Sequence, residues 1–136
     1  MNEYKSVVRV VAAIIEFNGK FLACRRASHK VSAGLWEFPG GKVEDGESAE
    51  TALLREIREE LDIEIRIHGP FDISTTRTDA GFIQLECFSC TTDQLPTGSG
   101  DHDLIWSVGF EELALLNWAK PDLPAVHKLI NLKNRI

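Results

Sequence analysis

Three glutamates near the middle of the chain have the spacing of a cation-binding site. Glu56, Glu59 and Glu60 lie three and four residues apart, so on a helix their carboxylates project from one side within one turn. Like charges at this spacing destabilise a helix by about 0.2–0.5 kcal/mol per pair. A solvated charged face is the alternative interpretation, because Arg55 and Arg58 flank the cluster and soften the repulsion.

A glycine-rich turn shortly before these acids favours the cation site. Pro39-Gly40-Gly41 ends just before the predicted helix, and Glu47 lies at the start of that helix. A tight turn brings backbone carbonyl oxygens close, and carboxylates beside them form the all-oxygen site that a hard cation such as Mg²⁺ prefers. The cation would bring positive charge to a phosphate-bearing substrate. The turn is not a phosphate-binding P-loop, because G-x-x-x-x-G-K-[ST] is not satisfied around Lys42.

Composition and charge limit the classes of partner and compartment. The 136 residues fit one domain, and 15 Lys+Arg against 21 Asp+Glu give a net charge of −6, which disfavours binding of a nucleic-acid polymer. We find neither a signal peptide nor the roughly 20 apolar residues of a membrane span. Three cysteines are too few for a disulfide framework, so we expect a reducing, cytoplasmic setting. Cys87 and Cys90 form a C-x-x-C in a strand-like segment, where we expect small apolar side chains.

The elements that must position the acids are strands on either side of one strong helix. The helix is predicted at residues 48–61, with Ser48 as N-cap and an apolar face repeating at three- and four-residue steps. Asn18-Gly19 between two apolar runs predicts a hairpin with a type I′ turn. Strands are predicted at residues 6–17, 20–26, 35–38, 63–67, 71–78, 82–91 and 104–108, and further helices at residues 110–116 and 123–131. This order predicts a single α+β domain over residues 1–136.

The spacing of the acids and glycines resembles a known family signature. Residues 41–63 read G-x5-E-x7-R-E-I-R-E-E-L-D-I, which is similar to the Nudix box, G-x5-E-x7-R-E-U-x-E-E-x-G-U, where U is aliphatic. The one departure is Asp62 in place of glycine, at a position where the chain leaves the helix and Asp tolerates positive φ better than most residues. The resemblance extends to Arg25-Arg26, residues 35–41, Trp106 and residues 121–124. Within the Nudix hydrolases the sequence resembles the MutT-like branch, and within that branch it resembles the CTP pyrophosphohydrolases. This resemblance implies an α/β/α sandwich with a mixed sheet between helices.

The resemblance also implies roles for the acids. They would hold Mg²⁺, with Mn²⁺ as a possible substitute, together with a backbone carbonyl and one acid from a late loop. Glu56 matches the position often assigned as general base, and Glu59 and Arg55 complete the implied catalytic group. The implied metal ligands are Gly40, Glu56, Glu59, Glu60 and Asp101.

Other box residues are expected to support the site. Gly41 and Glu47 are implied to be structural, with a salt bridge from Glu47 to Arg55 that bends the loop onto the helix. The late acid could be Asp101 or Asp103, and for both the alternative is a loop acid in water.

The reaction implied is attack of water at phosphorus, which splits a nucleoside triphosphate into a monophosphate and pyrophosphate. Arg26, Phe38 and Asp122 are the implied substrate-binding residues, and Trp36 would either wall the base or pack in the core. An ionised Asp122 only accepts hydrogen bonds, which suits the amino group of cytosine and favours CTP, dCTP or a modified pyrimidine nucleotide. Guanine also offers N–H donors, so an 8-oxo-dGTP diphosphatase remains an alternative. Capping of the helix that starts at Leu123 is the alternative role for Asp122.

A non-catalytic Nudix-fold module that senses a nucleotide is the competing function from another class. Retention of all the box acids favours the enzyme, because non-catalytic relatives lose them. The expected partner is a small nucleotide, with no nucleic-acid polymer and no membrane, and the protein would act as a monomer or homodimer. The histidines show no paired acid or ligand spacing, so surface or packing roles are predicted for all four: His29, His68, His102 and His127.

Overall fold

Seven strands and three α-helices make up the parts of the chain that the computed structural model describes, which are residues 6–27, 33–79, 81–98 and 102–133. The strands are β1 (Val7–Phe17), β2 (Lys20–Arg26), β3 (Trp36–Glu37), β4 (Gly40–Lys42), β5 (Arg66–Thr78), β6 (Gly81–Thr91) and β7 (His102–Val108). The helices are α1 (Ala49–Leu61), α2 (Phe110–Leu113) and α3 (Leu123–Lys133), the last preceded by a 3₁₀ turn (Lys120–Asp122).

Strand β1 is the centre of the sheet. It runs parallel to β6, which pairs antiparallel with β5. On its other edge β1 pairs with β2 only beside the Asn18-Gly19 turn, where both turn residues have the positive φ of the predicted type I′ hairpin. Strand β2 then pairs with β3 and β7, and β4 occupies the edge of β1 at residues 10–12. The glycine-rich turn is therefore held against the central strand.

The two faces of β1 explain the layered architecture. Successive side chains of a strand point to opposite faces, and β1 is apolar on both. Val11, Ala13 and Ile15 pack in the core beneath α1, whereas Ala12 and Ile14 belong to the core that includes α3. The mixed sheet thus lies between helices, and the predicted α/β/α sandwich is confirmed.

Helix α1 begins and ends as its sequence predicts. The Ser48 Oγ accepts a hydrogen bond from the Thr51 N–H at 3.1 Å. The apolar face of the helix is buried, and it is formed by Ala52, Leu53, Ile57 and Leu61. Asp62 leaves the helix with φ +53° and donates its N–H to the Arg58 carbonyl at 3.0 Å. Asp therefore takes the left-handed position that the family fills with glycine.

Some predicted boundaries are wrong. The two strands predicted at residues 63–67 and 71–78 are one strand, β5, whose register shifts near Gly69 and Pro70 absorb these residues without ending the strand. Helix α2 ends at Leu113 rather than at residue 116. The chain turns after Leu113 because the backbone at residues 117–119 bonds to Trp36. The Trp36 N–H lies 2.9 Å from the Asn117 carbonyl oxygen.

The cysteines of the C-x-x-C behave as apolar strand residues. Cys87 and Cys90 are buried in β6, and burial raises the pKa of the Cys90 thiol to about 12. Their burial within a strand confirms the expectation of small apolar side chains at these positions. No helix within the described ranges has the length and apolar character needed to cross a bilayer.

Candidate functional site

The two glycines of the turn are required by close packing. A Cβ on Gly40 would lie 1.9 Å from the Val11 carbonyl oxygen, so a side chain there would collide with the backbone of β1. A Cβ on Gly41 would lie 2.0 Å from Glu56 Oε2. The absence of a side chain at Gly41 therefore allows the Glu56 carboxylate to lie against the turn.

Arg55 ties this turn to helix α1. Its Nε donates to Glu47 Oε2 at 2.7 Å and its Nη2 to Glu47 Oε1 at 2.9 Å, so the predicted salt bridge is present and bidentate. Nη2 also donates to the Lys42 carbonyl at 3.1 Å. The Arg55 hydrogen bonds, together with one from the Glu44 N–H, lower the pKa of Glu47 to about 2. The hydrogen bond to Glu47 likewise raises the pKa of Arg55.

The three glutamates divide between two partners. Arg55 Nη1 donates to Glu56 Oε1 at 2.8 Å and to Glu59 Oε1 at 3.1 Å, whereas Glu60 Oε2 lies 3.8 Å from His102 Nδ1. Within the described residues no three His, Cys, Asp or Glu side chains converge as a metal-holding group. The donor chemistry nevertheless fits a hard divalent cation, because carboxylate and carbonyl oxygens are its preferred ligands.

Of the two candidate metal ligands in the late loop, the structure describes only Asp103. Asp101 lies outside the described residues. Asp103 forms a bidentate ion pair with Arg25, with N–O distances of 2.8 and 3.0 Å. These hydrogen bonds hold the pKa of Asp103 below its usual range. Both oxygens of Asp103 are therefore engaged by Arg25 rather than by the glutamate cluster.

A cavity of about 660 Å³ connects the glycine turn with the 3₁₀ turn before α3. Its volume lies within the usual range of small-molecule sites, about 300–1,000 Å³. Glu56 lies at its wall with Gly40 and Gly41, and β1 and β6 contribute apolar side chains. The other polar side chains that line it are Arg26, Glu37, Lys42, Thr78, Lys120 and Asp122. The structure thus brings Arg26, Phe38 and Asp122 to the same cavity as Glu56.

Asp122 is a buried acid at the far end of this cavity. It is 5% exposed, and its Oδ2 accepts a hydrogen bond from the Phe38 N–H at 2.9 Å. The alternative of a helix cap is not realised, since Asp122 lies within the 3₁₀ turn and its carboxylate bonds to the Phe38 backbone between β3 and β4, 84 residues away. Burial raises the pKa of Asp122 to about 8 against the opposing Phe38 hydrogen bond, and the negative charge of Glu37 adds to the increase. The Asp122 carboxyl therefore holds its proton to a higher pH than the ordinary aspartate that the sequence analysis assumes.

Replacing Asp122 with Asn should raise thermal stability more at pH 8 than at pH 5. The unfolded chain releases the Asp122 proton near pH 3.9, whereas the folded chain holds it to about pH 8. Because the unfolded state binds fewer protons between these values, the free energy of unfolding falls as pH rises, and a neutral Asn removes that loss. Melting temperatures at pH 5 and pH 8 measure the difference.

Asp103→Asn is the matched control for this prediction. The pKa of Asp103 is lowered in the folded state. The stabilising contribution of this carboxylate is therefore already complete at pH 5 and does not change up to pH 8. A Tm difference for Asp122→Asn that stays constant across this range would contradict the raised pKa.

The two aromatic candidates for base binding, Trp36 and Phe38, lie in different surroundings. The Trp36 ring is buried against Trp106, with ring centroids 4.9 Å apart, so the core-packing alternative is correct for Trp36. Phe38 packs on Trp118 at 4.8 Å and also lines the cavity. The Nη1 of Arg26 lies 3.3 Å from Glu37 Oε2, which places both charged groups along the cavity wall.

His102 contradicts the predicted lack of a paired acid. It is buried, and its Nε2 lies 2.8 Å from Glu37 Oε2. The 65 residues between the two positions leave no signal in the sequence for this contact. His68 contacts Thr91, His127 is exposed as predicted, and His29 lies outside the described residues.

Comparisons with known proteins agree with this geometry. The NUDIX domain family matches residues 5–129. The CTP pyrophosphohydrolase of Escherichia coli (strain K12) is 37% identical over 128 residues, which cover 93% of this chain and 94% of that protein. An 8-oxo-dGTP diphosphatase of Proteus vulgaris is 43% identical over 63 residues, covering 45% of this chain and 55% of that protein.

A solved structure extends the similarity to the whole fold. The solution NMR structure of the MutT protein of Staphylococcus aureus 252, a Nudix hydrolase, superposes with a TM-score of 0.76 at 38% identity. The match covers 93% of this chain and 98% of that one. The fold of this chain is thus found in a Nudix hydrolase of similar length.

Proposed function

This chain belongs to the Nudix hydrolase family, and from that premise we propose that it is a Mg²⁺-dependent nucleoside triphosphate pyrophosphohydrolase that prefers cytidine nucleotides. Water attacks phosphorus, a P–O bond of the bridge between the α- and β-phosphates breaks, and the products are a nucleoside monophosphate and pyrophosphate. The observation that carries the proposal is the single cavity that joins Glu56 and the glycine turn to Asp122.

The glutamates of α1 would hold the cation. Glu56, Glu59 and Glu60 supply carboxylate oxygens, and Gly40 supplies a carbonyl oxygen. Mg²⁺ held by these groups would neutralise phosphate charge and lower the pKa of a water molecule beside it. Mn²⁺ accepts the same oxygen ligands and is the expected substitute.

The residues of this chain perform the remaining tasks. Glu56 accepts the proton of the attacking water, and Arg55 holds Glu56 through its Nη1. The bidentate bond to Glu47 fixes Arg55 in turn, so the loop and the helix move as one unit. This network keeps the Glu56 carboxylate, the proposed general base, beside the glycine turn, where the phosphates must lie.

The base end of the cavity supports a cytidine nucleotide. The Phe38 N–H occupies Oδ2 of Asp122, which leaves Oδ1 for the ligand. Oδ1 is purely an acceptor when Asp122 is ionised, and hydrogen-bond donors of a bound base favour that ionised form over the protonated one. An oxygen acceptor suits the amino group of cytosine, and Arg26 on the same wall is a donor for the neighbouring base acceptors. The similarity to a CTP pyrophosphohydrolase over nearly the whole chain supports the same choice.

Hydrolysis of oxidised guanine nucleotides is the second candidate. Guanine also presents N–H donors to Asp122, and part of the chain is similar to an 8-oxo-dGTP diphosphatase. A nucleotide sensor without activity is disfavoured, because the chain retains all four box glutamates.

Pyrophosphate release from a panel of nucleotides tests the proposal. CTP, dCTP, a modified dCTP, UTP and 8-oxo-dGTP are compared with Mg²⁺, with EDTA, and with EDTA followed by excess Mg²⁺. We expect release to be fastest with a cytidine nucleotide, to stop with EDTA and to return with Mg²⁺. Turnover that resists the chelator would contradict the metal dependence, and a preference for 8-oxo-dGTP would favour the second candidate.

Replacing Asp122 with Asn should shift preference from cytidine to uridine nucleotides. The amide oxygen of Asn is retained by the Phe38 N–H, so the NH₂ group faces the base. It then opposes the amino donor of cytosine and matches the O4 acceptor of uracil. We expect the ratio of kcat/KM for CTP over UTP to fall about 5- to 30-fold, the value of about one or two kcal/mol of hydrogen bonding.

Asp103→Asn is the control, since it makes the same chemical change at a carboxylate paired with Arg25. An unchanged CTP-to-UTP ratio in the Asp122 variant would remove Asp122 from base recognition.

A further inference from the structure

His102 is the side chain that touches both ends of the proposed site. Its residue is 8% exposed, at the first position of β7, opposite Arg26 of β2. Nε2 lies 2.8 Å from Glu37 Oε2, and Nδ1 lies 3.8 Å from Glu60 Oε2. A carboxylate accepts hydrogen bonds, so Nε2–H donates to Glu37. The ring is therefore hydrogen-bonded to the cavity wall through Nε2, and its Nδ1 edge packs beside Glu60 of helix α1.

Glu37 is held from two directions. His102 bonds to Oε2, and Arg26 Nη1 lies 3.3 Å from Oε2 and 3.4 Å from Oε1. Both Arg26 and Glu37 line the cavity beside Asp122. Loss of the His102 contact would leave Glu37 with the longer Arg26 bonds, and so less firmly fixed within the wall that contacts the nucleotide.

Glu60 differs from its neighbour Glu59 in its surroundings. The Glu60 side chain is 17% exposed and lies beside the buried ring, whereas Glu59 is 55% exposed. Glu37 belongs to a strand and Glu60 to the helix that covers the sheet, so the backbone of one element does not set both positions. A buried side chain from a third element is suited to that task.

We propose that His102 is a positioning residue that fixes Glu37 in the cavity wall through Nε2 and limits the position of Glu60, as a metal ligand, by packing the opposite edge of its ring beside that carboxylate. The inference rests on the proposed function, in which Glu60 is one of the ligands. Groups that orient metal ligands typically change metal affinity 10- to 100-fold when removed.

Two substitutions separate the nitrogens. The amide of Gln lies near the position of Nε2, so His102→Gln keeps a donor for Glu37 and loses the contact with Glu60. The shorter Asn places its amide near Nδ1, so His102→Asn does the reverse. The dissociation constant for Mn²⁺ is measured by electron paramagnetic resonance without nucleotide, and the KM for CTP is measured at saturating Mg²⁺.

We expect a crossed result. His102→Gln should weaken Mn²⁺ binding about tenfold with KM within about twofold of the wild type, and His102→Asn should raise KM about tenfold with Mn²⁺ binding within about twofold. His127→Gln on the exposed face of α3 is the matched control and should change neither value. If both His102 variants change the two quantities alike, or change neither, the positioning role is wrong.

A measurement on the unsubstituted protein covers the case in which the variants fold poorly. In protein with ¹⁵N-labelled histidine, addition of Mg²⁺ should move the His102 Nδ1 resonance and leave that of His127 in place. An unmoved His102 resonance would overturn the inference. Wild-type protein that neither binds Mn²⁺ nor releases pyrophosphate would instead overturn the proposed function, and with it this inference.

Discussion

Replacing Glu59 with Gln should lower kcat for pyrophosphate release by more than about 100-fold while the protein remains folded. A neutral amide is a poorer ligand for Mg²⁺ than a carboxylate, and loss of one group that stabilises transition-state charge costs about 10²- to 10³-fold. Glu59 is 55% exposed and its contact with Arg55 is a surface ion pair. We therefore expect the free energy of unfolding to change by no more than about 0.5 kcal/mol, since relief of repulsion with Glu56 and Glu60 offsets the lost pair.

Glu50→Gln is the matched control, because it makes the same change in the first turn of the same helix, outside the group of Glu56, Glu59 and Glu60. Its activity should stay near that of the wild type. Activity of the Glu59 variant within a fewfold of the wild type at low Mg²⁺ would contradict the assignment of Glu59 as a metal ligand.

Alanine at Gly41 should lower activity, whereas alanine at the neighbouring Gly40 should lower stability. In Gly41→Ala the new Cβ meets the end of the flexible Glu56 side chain, which can rotate away, so we expect a folded protein with kcat lowered about 100-fold. In Gly40→Ala the new Cβ meets the backbone carbonyl of Val11, which cannot move without disturbing β1. That variant should lose about 3 kcal/mol of stability, the upper end of the cost of overpacking.

Thermal melts and steady-state kinetics of the two variants check this contrast. Gly46→Ala serves as a further comparison, since no atom lies within 4 Å of its Cβ position but its φ is +83°. It should cost stability through backbone strain without displacing Glu56. An active Gly41→Ala protein would show that Glu56 does not need its place against the turn.

Local sequence determined helix α1 and its acids. The cap at Ser48, the apolar repeat and the left-handed Asp62 depend on contacts within a few residues, and all three are found as predicted. The ion pair of Glu47 and Arg55 spans eight residues across one loop and was also predictable. The same is true of the type I′ hairpin, because positive φ at Asn18 and Gly19 follows from the residues themselves.

Strand boundaries were harder to predict because they depend on the partner strand. Gly69 and Pro70 normally interrupt a strand, but shifts of register against β6 accommodate both. The early end of α2 likewise follows from backbone bonds to Trp36, more than 70 residues earlier in the chain.

The chemistry of the far end of the cavity was decided by tertiary structure alone. Asp122 reads as a helix cap in sequence, yet the fold buries it against Phe38, where low polarity raises its pKa to about 8. His102 has no acid near it in sequence, yet the pairing of β7 with β2 brings it to Glu37 and Glu60. Residue type and spacing determined which groups could bind a cation and a phosphate. Burial and pairing between distant strands decided the protonation and orientation of the groups around them, because both depend on neighbours that only the folded chain supplies.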